Sequence, residues 1–145
     1  MSNQIKYTVG FLFGSDKKQV ALIRKVRPEW QNGKLNGIGG HVEAGETPEE
    51  CMIREFWEEA WIYEKYIKWT EFACLNGKDF RVYCFYAIVE SLDSIKSKTD
   101  EKVEVINLKD IHMFNLELLD NLCWLIPLAG DSMADNRPIY STIEY

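Results

Sequence analysis

The sequence predicts a mixed α/β (α+β) fold in which helices pack on the faces of a mixed sheet. Three observations predict it: short segments rich in β-branched and aromatic residues, a strongly signalled helix between them, and a second helical pattern near the C-terminus. The 145 residues are 46% hydrophobic and 28% charged. This composition is typical of one globular domain, so we expect residues 1–145 to form a single domain.

The first two strands are predicted at residues 7–13 and 20–25, and the polar turn GSDKKQ joins them into a hairpin. The first segment is apolar on both faces, so we expect other layers to cover it on both sides. Residues 26–46 are rich in Gly, Asn, Pro and Glu. They predict a loop with at most a short strand.

A helix is predicted to begin after Thr47 and to run to about Ala60. Thr47 is suited to cap it, Pro48 suits the first helical position, and Glu50 completes a capping box. The later elements follow from the same patterns of apolar and turn residues. They are strands at 67–75 and 80–89 around the turn NGKD, an exposed loop at 91–100, a strand at 103–108, a helix at 116–128 interrupted late by Pro127, and an edge strand or ordered coil at 138–145.

Charge and cysteine content narrow the classes of partner. The net charge is −6 and the basic residues form no stripe along the sequence, so a long nucleic acid is not expected as a partner. An acidic protein that binds a polyphosphate needs divalent cations between its carboxylates and the phosphates, which otherwise repel each other. The four cysteines have no metal-binding spacing, so we expect buried, reduced thiols; they are Cys51, Cys74, Cys84 and Cys123. The sequence shows no targeting segment or membrane span, and we expect a cytoplasmic protein.

Three carboxylates fall on one face of the predicted helix. Glu55, Glu58 and Glu59 stand at positions i, i+3 and i+4, where like charges repel unless a hard cation lies between them. Magnesium suits such a site because it takes oxygen ligands and is often held by one or two carboxylates plus substrate phosphates. A solvated acidic helix face is the alternative for an isolated pattern of this kind.

The preceding loop favours the metal site. A glycine turn and another carboxylate lie just ahead of the helix, and with it they resemble the Nudix box, G-x5-E-x7-R-E-U-x-E-E-x-G-U, where U is a bulky apolar residue. The positions in register are Gly40, Glu46, Arg54, Glu55, Phe56, Glu58, Glu59 and Ile62. Trp61 departs from the pattern, since the family has glycine there. We expect it either to cost about 1 kcal/mol or to rearrange the helix exit.

The resemblance implies an α/β/α sandwich and a magnesium-dependent hydrolase, with Mn²⁺ able to substitute. In the family's pattern the metal ligands would be Glu55, Glu58, Glu59 and the backbone carbonyl of Gly39. Glu46 would brace the loop and reach a metal through water, and Arg54 would fix a glutamate by a charge-assisted hydrogen bond, although a plain surface ion pair is the alternative for Arg54.

The resemblance also implies that a metal-activated water attacks an internal phosphorus and that a carboxylate accepts its proton. Glu55 is one candidate for this general base. Glu104, which lies just before an apolar strand, is another, with Glu101 as its rival; for both, an exposed charge without function is the alternative.

Residues 35–40 resemble a segment of the MutT-like subgroup that hydrolyses oxidised purine nucleoside triphosphates, in which an asparagine reads the base. Asn36 has that chemistry, or is a turn residue. Residues 120–124 resemble the same subgroup's base-binding segment. Asp120 or Asn121 would bind a purine, with Trp124 or Phe114 as a stacking face, unless Trp124 is core. Two basic residues, Arg24 and Lys25, are placed to meet a phosphate or to lie on the surface.

The leading expectation is therefore hydrolysis of a purine nucleoside triphosphate, including an oxidised one such as 8-oxo-dGTP, to the monophosphate and pyrophosphate. A sugar nucleotide, ADP-ribose and capped RNA remain open as substrates, because the box acts on the diphosphate alone. A Nudix-fold module that binds a nucleotide without cutting it, and a scaffold, are rival classes. We expect a small-molecule nucleotide as partner, no membrane, and a monomer or homodimer.

Overall fold

A seven-stranded mixed sheet forms the centre of the protein. The structure is a computed structural model that describes residues 3–64, 66–134 and 139–145. Its strands are β1 Ile5–Gly14, β2 Gln19–Arg24, β3 Leu35–Asn36, β4 Ala60–Trp61, β5 Thr70–Asn76, β6 Phe80–Val89, β7 Lys96–Ser97, β8 Lys102–Asn107 and β9 Ser141–Glu144. The α-helices are α1 Pro48–Glu59 and α2 Leu122–Ala134, and two 3₁₀ helices span Glu29–Gln31 and Leu108–Phe114.

The strand order of the sheet is β3-β2-β1-β6-β5-β9, and β8 pairs with β2. β1 runs parallel to β6 from Ile5↔Phe80 to Gly14↔Val89, whereas β2 is antiparallel to β1, β3 and β8. β9 runs parallel to the outer side of β5. Both orientations occur, so the predicted mixed sheet is confirmed.

The helices cover opposite faces of this sheet. Met52 and Phe56 of α1 pack into one buried cluster, together with Leu12 of β1. Phe11 of β1 faces the other cluster, which contains Leu125 of α2. Successive residues of a strand point to opposite faces, so β1 must be apolar on both, as its sequence predicts. The α/β/α arrangement is confirmed.

Most predicted elements lie within a few residues of the observed ones, and the first hairpin is confirmed. The capping box of α1 is also present. The Thr47 side chain accepts a hydrogen bond from the backbone N–H of Glu50, whose side chain accepts one from the backbone N–H of Thr47. β9 corresponds to the predicted edge strand; Pro138, at the start of that segment, lies outside the described residues.

The prediction for the second helix is wrong at both ends. α2 begins at Leu122 because the preceding backbone pairs with β3: the N–H of Leu35 donates to the carbonyl of Glu117, and the N–H of Leu119 donates to the carbonyl of Leu35. The helix then continues through Pro127 to Ala134. Pro127 is exposed, so water can reach the carbonyl that its missing N–H leaves free.

Two expectations about exposure are also wrong. The segment 91–100 is not a simple exposed loop, because it contains β7, which pairs with β4, and Leu92, which is buried. Cys123 is exposed on α2, whereas Cys51, Cys74 and Cys84 are buried as expected; all four are free thiols. In the described part of the chain, no helix has the length and apolarity to span a membrane.

The unexpected Trp61 coincides with an extended exit from α1. Ala60 has φ −140° and ψ 159°, so the chain passes directly from the helix into β4. Glycine is needed where a helix ends in a left-handed turn, and no such turn occurs here. Lys96 of β7 lies over the Trp61 ring, 5.4 Å from its centroid, and helps to hold the strand pair.

Candidate active site at the loop before α1

Arg54 ties the loop before α1 to the helix. Its Nε and Nη2 atoms donate to the two carboxylate oxygens of Glu46 at 2.9 and 2.8 Å, and Nη2 also donates to the carbonyl of His41 at 3.0 Å. Nη1 contacts Glu55 at 2.9 Å and Glu58 at 3.2 Å. One guanidinium therefore organises three of the predicted acidic residues.

Glu46 is held as a carboxylate by this arrangement. The hydrogen bonds from Arg54 lower the pKa of Glu46 from 4.5 to about 2, and the backbone N–H of Glu43 adds to the effect. The bidentate geometry fixes the orientation of both groups. Glu46 is thus the residue of the loop that Arg54 of α1 holds through two hydrogen bonds.

Close packing brings the carboxylate of Glu55 against the glycine turn. A Cβ atom on Gly40 would lie 2.4 Å from Oε1 of Glu55, and one on Gly39 would lie 2.1 Å from the carbonyl oxygen of Thr8. The contact at Gly39 is with backbone, so no side chain fits there. A side chain at Gly40 would have to displace the Glu55 carboxylate from the turn.

Glu59 is the most unusual carboxylate of the site. It is buried, and its Oε2 has no hydrogen-bond partner among the described residues. Burial raises the pKa of Glu59 to about 8; the charge on Lys25 lowers it and that on Glu55 raises it. Glu59 and Glu55 approach each other closely, whereas Glu58 has a side chain that is 57% exposed.

Lys25 and the buried Glu101 form an ion pair beside Glu59. The Nζ atom of Lys25 lies 3.0 Å from Glu101, and Glu101 also accepts hydrogen bonds from the backbone N–H groups of Val26 and Arg27 at 2.7 and 3.1 Å. Burial pulls the pKa of Glu101 upward, but these donors outweigh it and the net shift is downward. The sequence does not show this anchoring of the segment after β2.

Arg24 and Glu104 lie apart from the acidic residues of α1. Arg24 binds Glu104 through two hydrogen bonds of 2.6 and 2.8 Å and contacts Glu117 at 2.7 Å. The flanking Leu22 and Ile106 face the α2 cluster, so side-chain alternation puts Arg24 and Glu104 on that face. The structure does not bring them together with the carboxylates of α1.

A cavity of about 570 Å³ extends from the glycine turn across the α2 face of the sheet. Its lining includes the predicted residues Lys25, Asn36, Gly39 and Asn121. Its apolar floor consists of Val9, Leu75, Val82, Leu119 and Leu125, and its aromatic lining of Tyr7, Trp30, His41, Phe80 and Tyr145. Trp30, Phe80 and Tyr145 belong to no local sequence motif, because they are far apart in the chain.

The amides in this cavity differ in their hydrogen bonding. The Oδ1 of Asn36 accepts from the N–H of Gly37 at 2.8 Å, and its amide nitrogen donates to Gln31 at 3.3 Å. The Oδ1 of Asn121 is buried without a partner among the described residues.

The other residues predicted to bind the base do not line the cavity. Asp120 is exposed and Trp124 is 37% exposed, and both lie outside the lining. Phe114 packs against the α2 cluster instead.

The donor set fits a hard divalent cation, although not as a closed cage. Among the described residues, no three His, Cys, Asp or Glu side chains are arranged to hold one ion. Magnesium needs only one or two carboxylates when phosphates and water supply the rest. The close pair of Glu55 and Glu59, with the unpartnered Oε2 of Glu59, provides oxygen donors of that kind beside the glycine turn.

Comparisons with known proteins agree with this architecture. The chain is 38% identical over 53 residues to the NAD-capped RNA hydrolase NudC of Vibrio parahaemolyticus, a match that covers 37% of this chain and only 20% of that relative. The NUDIX domain of Shewanella oneidensis NrtR, solved with ADP ribose, superposes with a TM-score of 0.72 at 19% identity, over 92% of this chain and 90% of that one.

A MutT protein from Bacillus halodurans superposes with a TM-score of 0.64 at 22% identity, over 97% of this chain and 90% of that one. At these identities the superpositions establish the fold. The model of the NUDIX domain matches residues 5–125, which include the glycine turn and the acidic helix. The chain therefore belongs to the Nudix family.

Proposed function

We propose that this chain is a pyrophosphohydrolase that cleaves a phosphoanhydride bond in a nucleoside diphosphate derivative. The observation that carries the proposal is the joining of loop and helix through Arg54, with Glu46, Glu55 and Glu58 around one guanidinium. Glu55 packs against the glycine turn, and that turn lines the cavity of about 570 Å³. The acidic residues would repel each other without Arg54 or a cation.

Nudix hydrolases generally use divalent metals such as Mg²⁺. In this chain Glu55, Glu58, Glu59 and the Gly39 carbonyl would hold the ion, with Glu46 as a further contact through water. When bound, Mg²⁺ lowers the pKa of a coordinated water and neutralises charge on the phosphates. Lys25 at the cavity wall would attract the phosphates, and Arg54 would keep Glu46 and Glu55 in place.

We propose Glu55 as the group that accepts the proton of the attacking water. Its carboxylate is fixed between Arg54 and the glycine turn, which is the precision that proton transfer needs. The rival carboxylates have other partners. Glu104 is paired with Arg24 on the opposite face of the sheet, and Glu101 is held by Lys25 and two backbone N–H groups.

For the substrate we propose a purine nucleoside triphosphate, including an oxidised one. The support is the amide pair of the cavity, Asn36 and Asn121, since an amide can donate and accept at the edge of a base. ADP-ribose is the second candidate, because the NrtR domain was solved with that ligand, and capped RNA is the third, because of the NudC match.

A substrate panel with product identification tests the proposal. The purified protein is incubated with Mg²⁺ or Mn²⁺ and nucleoside triphosphates, 8-oxo-dGTP, ADP-ribose or NAD-capped RNA, and the products are resolved by chromatography. We expect a nucleoside monophosphate and pyrophosphate from the preferred triphosphate. No turnover on any substrate, combined with a ligand-induced rise in the melting temperature, would favour a binding module instead.

A further inference from the structure

The cavity carries large, exposed aromatic rings. Trp30 is 71% exposed and Tyr145 is 66% exposed, yet both line the cavity, together with Phe80. Water contacts much of these rings, so a flat apolar ligand lying against them would remove a large apolar area from water. Stacking of a ligand on these rings would therefore contribute favourable free energy to its binding.

Sheet register explains why two of these rings share a wall. Val82 of β6 and Ile143 of β9 are aligned with Leu75 of β5 and pack in the α2 cluster. Phe80 and Tyr145 are each two residues away along their strands, so they project from the same face. Their ring centroids lie 5.6 Å apart, with an interplanar angle of 60°.

Trp30 belongs to the other side of the cavity. Its 3₁₀ helix connects β2 to β3, whereas Tyr145 follows β9, and these strands lie on opposite sides of β1 in the strand order. The Trp30 segment is also anchored, because Glu101 accepts hydrogen bonds from the backbone N–H groups of Val26 and Arg27. The cavity thus has aromatic surface on two sides.

We propose that Trp30 on one side and the Phe80–Tyr145 pair on the other form an aromatic clamp that stacks the planar base of the nucleotide. The strand β9 then contributes directly to the binding site. This inference rests on the proposed function, which puts the phosphates at the glycine turn. A base is favoured over an acyl chain because Asn121 lines the cavity and its Oδ1 has no hydrogen-bond partner among the described residues. The edge of a heterocycle can donate to this oxygen, whereas an acyl chain cannot.

Binding measurements without turnover test the clamp. Titration calorimetry of the full chain in Mg²⁺ gives the Kd of guanosine monophosphate and, separately, of inorganic pyrophosphate. In Tyr145→Ala and in Trp30→Ala we expect the Kd of the nucleotide to rise roughly tenfold, as for loss of one stacking contact. The Kd of pyrophosphate should stay unchanged, because it lacks a base.

Two controls separate stacking from general damage. Tyr145→Phe keeps the ring and should bind the nucleotide like the original chain. Tyr63→Ala removes a ring outside the cavity that is 83% exposed, and it should also leave nucleotide binding unchanged. Unchanged nucleotide binding in both cavity variants would overturn the clamp, as would an equal loss of pyrophosphate binding. If the original chain hydrolyses nucleotides and both cavity variants keep its KM, the clamp is wrong but the proposed function stands. If the variants bind the nucleotide more weakly but the original chain hydrolyses nothing, the proposed function is wrong but the clamp stands.

Discussion

The two faces of the central sheet are organised in contrasting ways. On the α1 face, the acidic residues come from one continuous stretch and are connected through Arg54. On the α2 face, the cavity is assembled from separate segments, and Trp30 and Tyr145 come from segments on opposite sides of β1 in the strand order. Under the proposed function, chemistry on the phosphates would depend on a local motif, whereas recognition of the attached group would depend on how the whole chain folds.

The largest expected effect is at Glu55. Glu55→Gln removes the charge and the proton acceptor while keeping the shape, and we expect kcat to fall by about 10²- to 10⁴-fold. Steady-state kinetics on the preferred substrate measure it. Glu49→Gln, in the first turn of the same helix and exposed, is the matched control. If the two variants are equally active, the α1 face is not the reaction centre.

The second largest effect on activity is expected from Arg54→Lys. Lysine keeps the charge but cannot bind both oxygens of Glu46 while also reaching Glu55 and the carbonyl of His41. Loss of such supporting contacts typically costs about 10- to 100-fold in activity or metal affinity. Kinetics at varied Mg²⁺ will show whether the loss lies in metal affinity. Activity equal to the original chain would mean that the guanidinium network is dispensable.

Glu59 should make stability depend on pH. Its folded-state pKa of about 8 lies above its ordinary value of 4.5, so the protonated form favours folding. This contribution is complete below about pH 4.5 and is lost as the pH rises to about 8. In EDTA we expect the free energy of unfolding, from urea titrations, to decline over that interval and the decline to shrink in Glu59→Gln. An identical slope in the variant would show that another group is responsible.

The smallest effect is expected from Trp61→Gly, which restores the family's residue. The extended exit does not need glycine, and the variant loses the contact between Lys96 and the Trp61 ring. We expect a loss of about 1 kcal/mol in the free energy of unfolding, measured by urea titration, and an unchanged kcat. A gain in stability would mean that the native exit is strained.

Features that depend on neighbouring residues are predictable from the sequence. The capping box at Thr47 and the register of Glu55 with the glycine turn depend on residues close in the chain, and the pattern exposes them directly. Features that depend on backbone pairing between distant segments are not predictable in this way. Leu35 hydrogen-bonds to the chain before α2, and the helix therefore begins only at Leu122. The pairing of Arg24 with Glu104 cannot be predicted from the sequence either, because these residues are 80 positions apart and meet only after the sheet forms.

The parallel pairing of β9 with β5 has a consequence for solubility. Without β9, the hydrogen-bonding groups of β5 would face solvent along an open side of the sheet, where a second molecule could add a strand. Short strands such as β9 block that route to polymerisation. Variants that loosen this strand should therefore tend to form intermolecular β-structure at high protein concentration, a hazard that catalytic assays alone would miss.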